Sequence, residues 1–147
     1  MLREARKELV NEFLSNLKTA LEQKRFKFDL KLIGKHSQLY RFYIKKRTHF
    51  LFIHASWDGR WEIPPSRLEI SYPISPENVD WAVVLLKKRE GKNHPLGFLI
   101  LGDDFMKMKA GFSMTRMGLI KIKEKDLSLK HQFNNWDTFF QLLNLKL

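Results

Sequence analysis

The chain contains no cysteine. That excludes disulfides, thiolate zinc sites and cysteine nucleophiles, and it agrees with a cytoplasmic setting. Its apolar runs are far too short to cross a bilayer and no secretory signal opens it, so no membrane partner is expected. There is no Gly-rich phosphate loop, no dinucleotide fingerprint and no G-x-S-x-G elbow. The histidines lack zinc spacing: His49 and His54 fall in one strand on opposite faces. Acid is also scarce, with 16 Asp and Glu against 27 Lys and Arg, which gives a net charge of +11. Such an excess attracts polyanions through its long-range field and through counterion release, and nucleic acid is the partner class it favours, DNA before RNA.

What is present reads as a single domain over residues 1–147, with an apolar share of 44% that is ordinary for a globular interior. Residues 2–23 read as an amphipathic helix. Leu2, Leu9, Val10, Phe13, Leu14, Leu17 and Leu21 form its stripe, and Glu4, Glu8 and Glu12 point to solvent. The period then drops to two. Phe28, Leu30 and Leu32 share one strand face, with Asp29, Lys31 and Ile33 on the other. Gly34 and residues 35–37 read as a turn. In the next strand Tyr40, Phe42 and Ile44 oppose Arg41, Tyr43 and Lys45. Residues 49–55 read as a third strand, followed by an Asp58-Gly59 turn and an irregular crossing marked by Pro64, Pro65, Pro73 and Pro76.

Residues 78–86 are nearly all apolar and read as a central strand buried on both faces. A charged loop (87–95) leads to a returning strand (96–101). Segment 103–114 reads as a short helix or loop with Asp103 or Asp104 as its cap. Residues 118–127 alternate like an edge strand guarded by lysines. Trp136, Phe139, Phe140 and Leu143 define a docking helix behind Asn134 and Asn135. The sum is an α+β domain, layered α/β/α, with a central mixed sheet flanked by an N-terminal and a C-terminal helix.

Charge and aromatics concentrate between Lys24 and Arg47, where Asp29 is the lone acid. Lys31, Arg41, Lys46 and Arg47 are the candidate nucleic-acid contacts. A metal-dependent phosphodiesterase needs hard oxygen ligands for Mg²⁺ and a cation beside the phosphate. Residues two apart on a strand emerge on one face, so Tyr43 and Lys45 would lie together with Asp29 across the hairpin. Asp29 is then the candidate metal ligand and Lys45 the candidate catalytic lysine. Tyr43 is a poor Mg²⁺ ligand. A second carboxylate would come from outside the hairpin, Glu12 first, with Glu8 and Glu62 behind it. The same residues also allow a plain cross-strand ion pair of Asp29 with Lys45 or Arg41, worth under about 1 kcal/mol.

The segment FDLKLIGKHSQLYRFYIKK resembles the catalytic hairpin of the PD-(D/E)XK (restriction-endonuclease-like) nuclease superfamily, in which an Asp leads to Glu-x-Lys or Gln-x-Lys. ENVDWAVVLL, LGFLILGDDF and QFNNWDTFF resemble, in order, the buried strand, the next strand and the closing segment of its small members. The resemblance implies a restriction-endonuclease-like fold and a Mg²⁺-dependent endonuclease acting on DNA, with Asp29 as metal-binding aspartate and Lys45 as the lysine. It also implies a homodimer, since two DNA strands need two sites. Phe28 stands where the family places a Pro before the Asp, and Tyr43 where it places Glu or Gln. The departure at Tyr43 implies an atypical or degenerate member. It sets the alternative reading of a nuclease fold without catalysis that binds nucleic acid or a protein partner.

Overall fold

A computed structural model describes residues 3–33, 38–65, 79–88 and 96–146. The expected Gly34 turn, the crossing through Pro73 and Pro76, and most of the 87–95 loop lie outside the described residues. Helix α1 (Arg3–Gln23) buries Val10, Phe13, Leu17 and Leu21 of the expected stripe together with Ala20, and Leu9 and Leu14 pack half-buried beside them. It ends where Arg25 turns left-handed (φ 61), with the Arg25 N–H donating to Glu22 O and the Phe26 N–H to Leu21 O. This pair of bonds satisfies the last helical carbonyls in the Schellman pattern, with arginine where glycine is usual.

Strands β1 (Phe28–Leu32), β2 (Leu39–Ile44) and β3 (Arg47–Ser56) form an antiparallel meander. After the short β4 (Arg60–Ile63) the chain returns as β5 (Val79–Lys87), parallel to β3, and β6 (Gly97–Leu101) runs antiparallel to β5. Helix α2 (Gly102–Lys109), β7 (Ser113–Met114), β8 (Ile120–Lys123), β9 (Gln132–Phe133) and helix α3 (Trp136–Leu142) follow, with two 3-10 turns, Glu124–Asp126 and Leu129–His131, between β8 and β9. A mixed six-stranded sheet has the order β1-β2-β3-β5-β6-β9, and a second sheet has the order β4-β8-β7. The chain is therefore α+β on a mixed sheet, as its periodicities imply.

Both terminal helices lie on one face of the large sheet. Phe13, Leu17 and Leu21 of α1 and Phe139 and Phe140 of α3 share a core with Phe42, Ile44, Leu51, Ile53, Ala82 and Val84. The opposite face packs Phe52, Val83, Leu85, Phe98 and Ile100 against Trp61, Ile120 and Ile122 of the small sheet and Phe105 of α2. Strand β5 feeds both cores, which explains its unbroken apolar run. Each large side chain buried there contributes about 1.5–3 kcal/mol of transfer free energy. The Trp61 Nε1–H donates to Leu86 O (3.0 Å), and Lys87 pairs with Glu124 (2.7 Å), so polar bonds also pin the small sheet to the large one.

Two local expectations change. The 118–127 strand shrinks to β8, which lies at the centre of the small sheet rather than at an edge, because β4 and β7 pair on its two sides. Helix α2 starts earlier than Asp103: Leu101 is its cap residue, without a side-chain bond, and Asp103 and Asp104 occupy the first turn. Gly102 permits this start, since a Cβ there would sit 2.2 Å from the Trp81 ring. Asn135 does cap α3, its side chain accepting from the Thr138 N–H at 2.8 Å.

Candidate nucleic-acid interface

The β1–β2 ladder pairs Phe28 with Ile44, Asp29 with Tyr43, Leu30 with Phe42 and Lys31 with Arg41. Residues paired across a ladder share a face, so Phe28, Leu30, Phe42 and Ile44 turn to the helices. Asp29, Lys31, Arg41 and Tyr43 stand together on the other face, as alternation requires. The Asp29 carboxylate lies 3.7 Å from the Lys31 ammonium and 3.7 Å from the Arg41 guanidinium. Tyr43 is 45% exposed beside it. Three of the expected site residues, Asp29, Lys31 and Arg41, thus come together with Tyr43.

Lys45 does not join them. Lys45 and Lys46 both have positive φ (51 and 64) and form the tight turn between β2 and β3, as a two-residue hairpin loop of primed type requires. The strand ends at Ile44, so the alternation that would set Lys45 beside Tyr43 stops one residue short. The Lys45 ammonium instead donates to the carbonyl of Lys146 and sits 5.4 Å from the centroid of the Phe26 ring. Phe26 packs against the helical core, so Lys45 is committed to the face that Asp29 leaves.

The other expected residues also disperse. Glu12 and Glu8 are exposed on α1, on the helical side of the sheet, with the sheet between them and Asp29. Glu62 is exposed on β4, opposite Lys121 in the small sheet. Arg47 pairs with Asp80, and its register partner Ile44 puts it on the helical face. Lys46 is exposed at the turn.

The described donors at this hairpin do not fit Mg²⁺. The ion demands near-octahedral oxygen coordination and dehydrates reluctantly. Here one carboxylate stands between two cations, and a phenol faces it. Among the described residues no three His, Asp or Glu side chains cluster closely enough to hold a metal. What the hairpin can do is present cations and an aromatic ring on one face, the equipment for holding a phosphate chain and a base.

A concavity away from this face has no counterpart among the sequence expectations. It lies at the C-terminal end of β3, has a volume of about 780 Å³, and is lined by Arg6, His54, Ser56, Trp57, Asp58 and Arg60 among others. Its signal in the sequence is the run WDGRW, two indoles and an arginine around a tight turn. The turn signal alone was legible, because the indoles' environments depend on what β4 and α1 bring to them.

No family model, no curated protein and no solved structure matches the chain. Among the described residues no helix is long and apolar enough to cross a membrane.

Proposed function

We propose that this protein is a nucleic-acid-binding module that works through the outer face of its β1–β2 hairpin, without metal chemistry there. The observation that carries the reading is the grouping of Lys31, Arg41 and exposed Tyr43 around Asp29 on one sheet face. Two cations against one carboxylate leave that face positive, in a chain whose net charge is +11. Phosphate contacts from Lys31 and Arg41 would supply affinity, and Tyr43 a stacking surface. Lys46 lies at the adjoining turn and would extend the contact. DNA is the first substrate to test, RNA the second. Kinship with restriction-endonuclease-like nucleases is part of this proposal, supported by the ordered likeness of segments from Phe28 to Phe140, and it concerns descent of the fold rather than cleavage.

The test is fluorescence anisotropy with labelled DNA at low salt, in EDTA and in Mg²⁺. Binding is expected in both, and Lys31→Glu with Arg41→Glu is expected to weaken it strongly. Absence of binding at low salt, or affinity untouched by the double charge reversal, would overturn the proposal.

A further inference from the structure

Among the described residues, none of the β1–β2 hairpin lines the cleft at the end of β3. Strand β2 pairs with β3 only as far as Phe52, and a single further bond, from the Ile53 N–H to Gln38 O, continues it. Among the described residues no strand covers that edge beyond Ile53. The first turns of α1 and strand β4 stand on either side and leave the opening of about 780 Å³. Pockets that hold small organic ligands span about 300–1,000 Å³.

Its walls have distinct chemistry. Trp57 is 41% exposed, and the Lys88 ammonium sits 5.0 Å from its ring centroid. Trp61 is buried with its N–H committed to Leu86 O, so it lends carbon surface alone. The Ser56 hydroxyl donates to the Asp58 carboxylate (3.0 Å) and accepts from the Arg60 N–H (3.1 Å), which fixes the turn. That Ser56 bond, ahead of the backbone donors, holds the Asp58 carboxyl below its ordinary range, so it faces the cleft as an anionic acceptor. Glu62 adds a second acceptor. Arg6 of α1 and Arg60 of β4 also line it, and among the described residues neither is in an ion pair.

An aromatic wall, carboxylate acceptors and two guanidinium groups match three parts of one ligand class. A planar heterocycle stacks on an indole, its amino groups donate to carboxylates, and a phosphate takes bidentate bonds from arginine. We propose that this cleft binds a nucleoside phosphate, either free or as the phosphorylated end of a nucleic-acid strand. Trp57 receives the base, Asp58 and Glu62 accept from its amino groups, and Arg6 and Arg60 meet the phosphate. The site is independent of the hairpin face and stands or falls separately from it.

The experiment is isothermal titration calorimetry of the full chain with AMP, adenosine and ribose 5-phosphate. Saturable binding of AMP is expected, with adenosine and ribose 5-phosphate each weaker by about tenfold or more, since each lacks one recognised part. Trp57→Ala is expected to weaken AMP by about tenfold, the loss of one base–aromatic stack, and Trp57→Phe to retain most of the affinity. Arg6→Ala and Arg60→Ala should weaken AMP and leave adenosine unchanged. Trp57 is on the surface, and circular dichroism verifies that each variant is folded. Short oligonucleotides with and without a 5′-phosphate separate the two sources: preference for the phosphorylated strand over AMP assigns the strand end, and the reverse assigns the free nucleotide. No saturable AMP binding, AMP affinity unchanged in Trp57→Ala, or ribose 5-phosphate binding as tightly as AMP would overturn the proposal. Charge reversal at Lys31 and Arg41 should leave AMP binding intact, so failure of the hairpin reading and failure of the cleft are told apart.

Discussion

The Asp29 carboxylate lies 3.7 Å from the Arg41 guanidinium, on the sheet face opposite the one where Lys45 reaches the Lys146 carbonyl. The two groups that a nuclease hairpin would bring to one phosphate therefore part company at the β2–β3 turn. Asp29 serves as an exposed counter-ion that partly cancels the two cations beside it. Removing it should strengthen nucleic-acid binding.

The variant Asp29→Asn is expected to raise DNA affinity about two- to fivefold at low salt, because one repulsive charge leaves the phosphate-facing surface. Stability should change by under about 1 kcal/mol, as for other exposed ion pairs. Anisotropy titration and urea unfolding check both. A large loss of affinity in Asp29→Asn would assign the carboxylate a direct binding role.

Arg25→Gly should stabilise the fold by about 0.5–1 kcal/mol. Arg25 holds a left-handed conformation at the end of α1 (φ 61), where a side chain is strained and glycine is not. An increased urea midpoint with unchanged slope is the expected result. A decrease would mean that the arginine side chain makes a compensating contact.

Stability should fall on mild acidification because of His49. Its ring is buried against Phe42, and among the described residues neither ring nitrogen has a hydrogen-bond partner. Burial pushes its pKa below the ordinary value; Arg47 adds to that push and Asp80 opposes it. His131 is lowered in the same direction, by burial first, then by Lys130, against Asp104. The unfolded chain takes up these protons near about pH 6.5, before the folded chain does. The histidine contribution is therefore complete above that pH and declines below it, toward the depressed folded values. Urea midpoints at about pH 7.5 and about pH 5 measure the loss, and His49→Phe should reduce it. An equal loss in His49→Phe would remove His49 from the explanation.

Gly102→Ala should destabilise by about 1–3 kcal/mol, as overpacking does. The added methyl would collide with the Trp81 ring at the start of α2. Thermal unfolding followed by indole fluorescence reads the shift. A neutral effect would mean that Trp81 yields at no cost.

Much of the fold is legible in the sequence because burial writes a period into it. The α1 stripe, the two-sided apolar run of β5 and the Asn135 cap of α3 each follow from local rules that tertiary packing respects. The Asp58-Gly59 turn is legible because Gly59 adopts φ 75, a conformation that glycine signals. The Lys45–Lys46 turn is not, since lysines do not announce positive φ and alternation runs on through them. That one turn decides which face Lys45 serves, so the candidate site was legible in its cations and hidden in its geometry. The place of β8 was hidden for a related reason: alternation shows that one face is buried, not how many neighbours a strand has.

The central claim is that the outer face of the β1–β2 hairpin holds phosphates through Lys31 and Arg41. Its most direct test is the slope of log affinity against log salt for duplex and single-stranded DNA, in the parent chain, Lys31→Ala and Arg41→Ala. Each substitution should lower the magnitude of the slope by about 0.7–0.9, the signature of one lost phosphate contact, and leave binding independent of Mg²⁺. Slopes identical to the parent in both variants would contradict the claim.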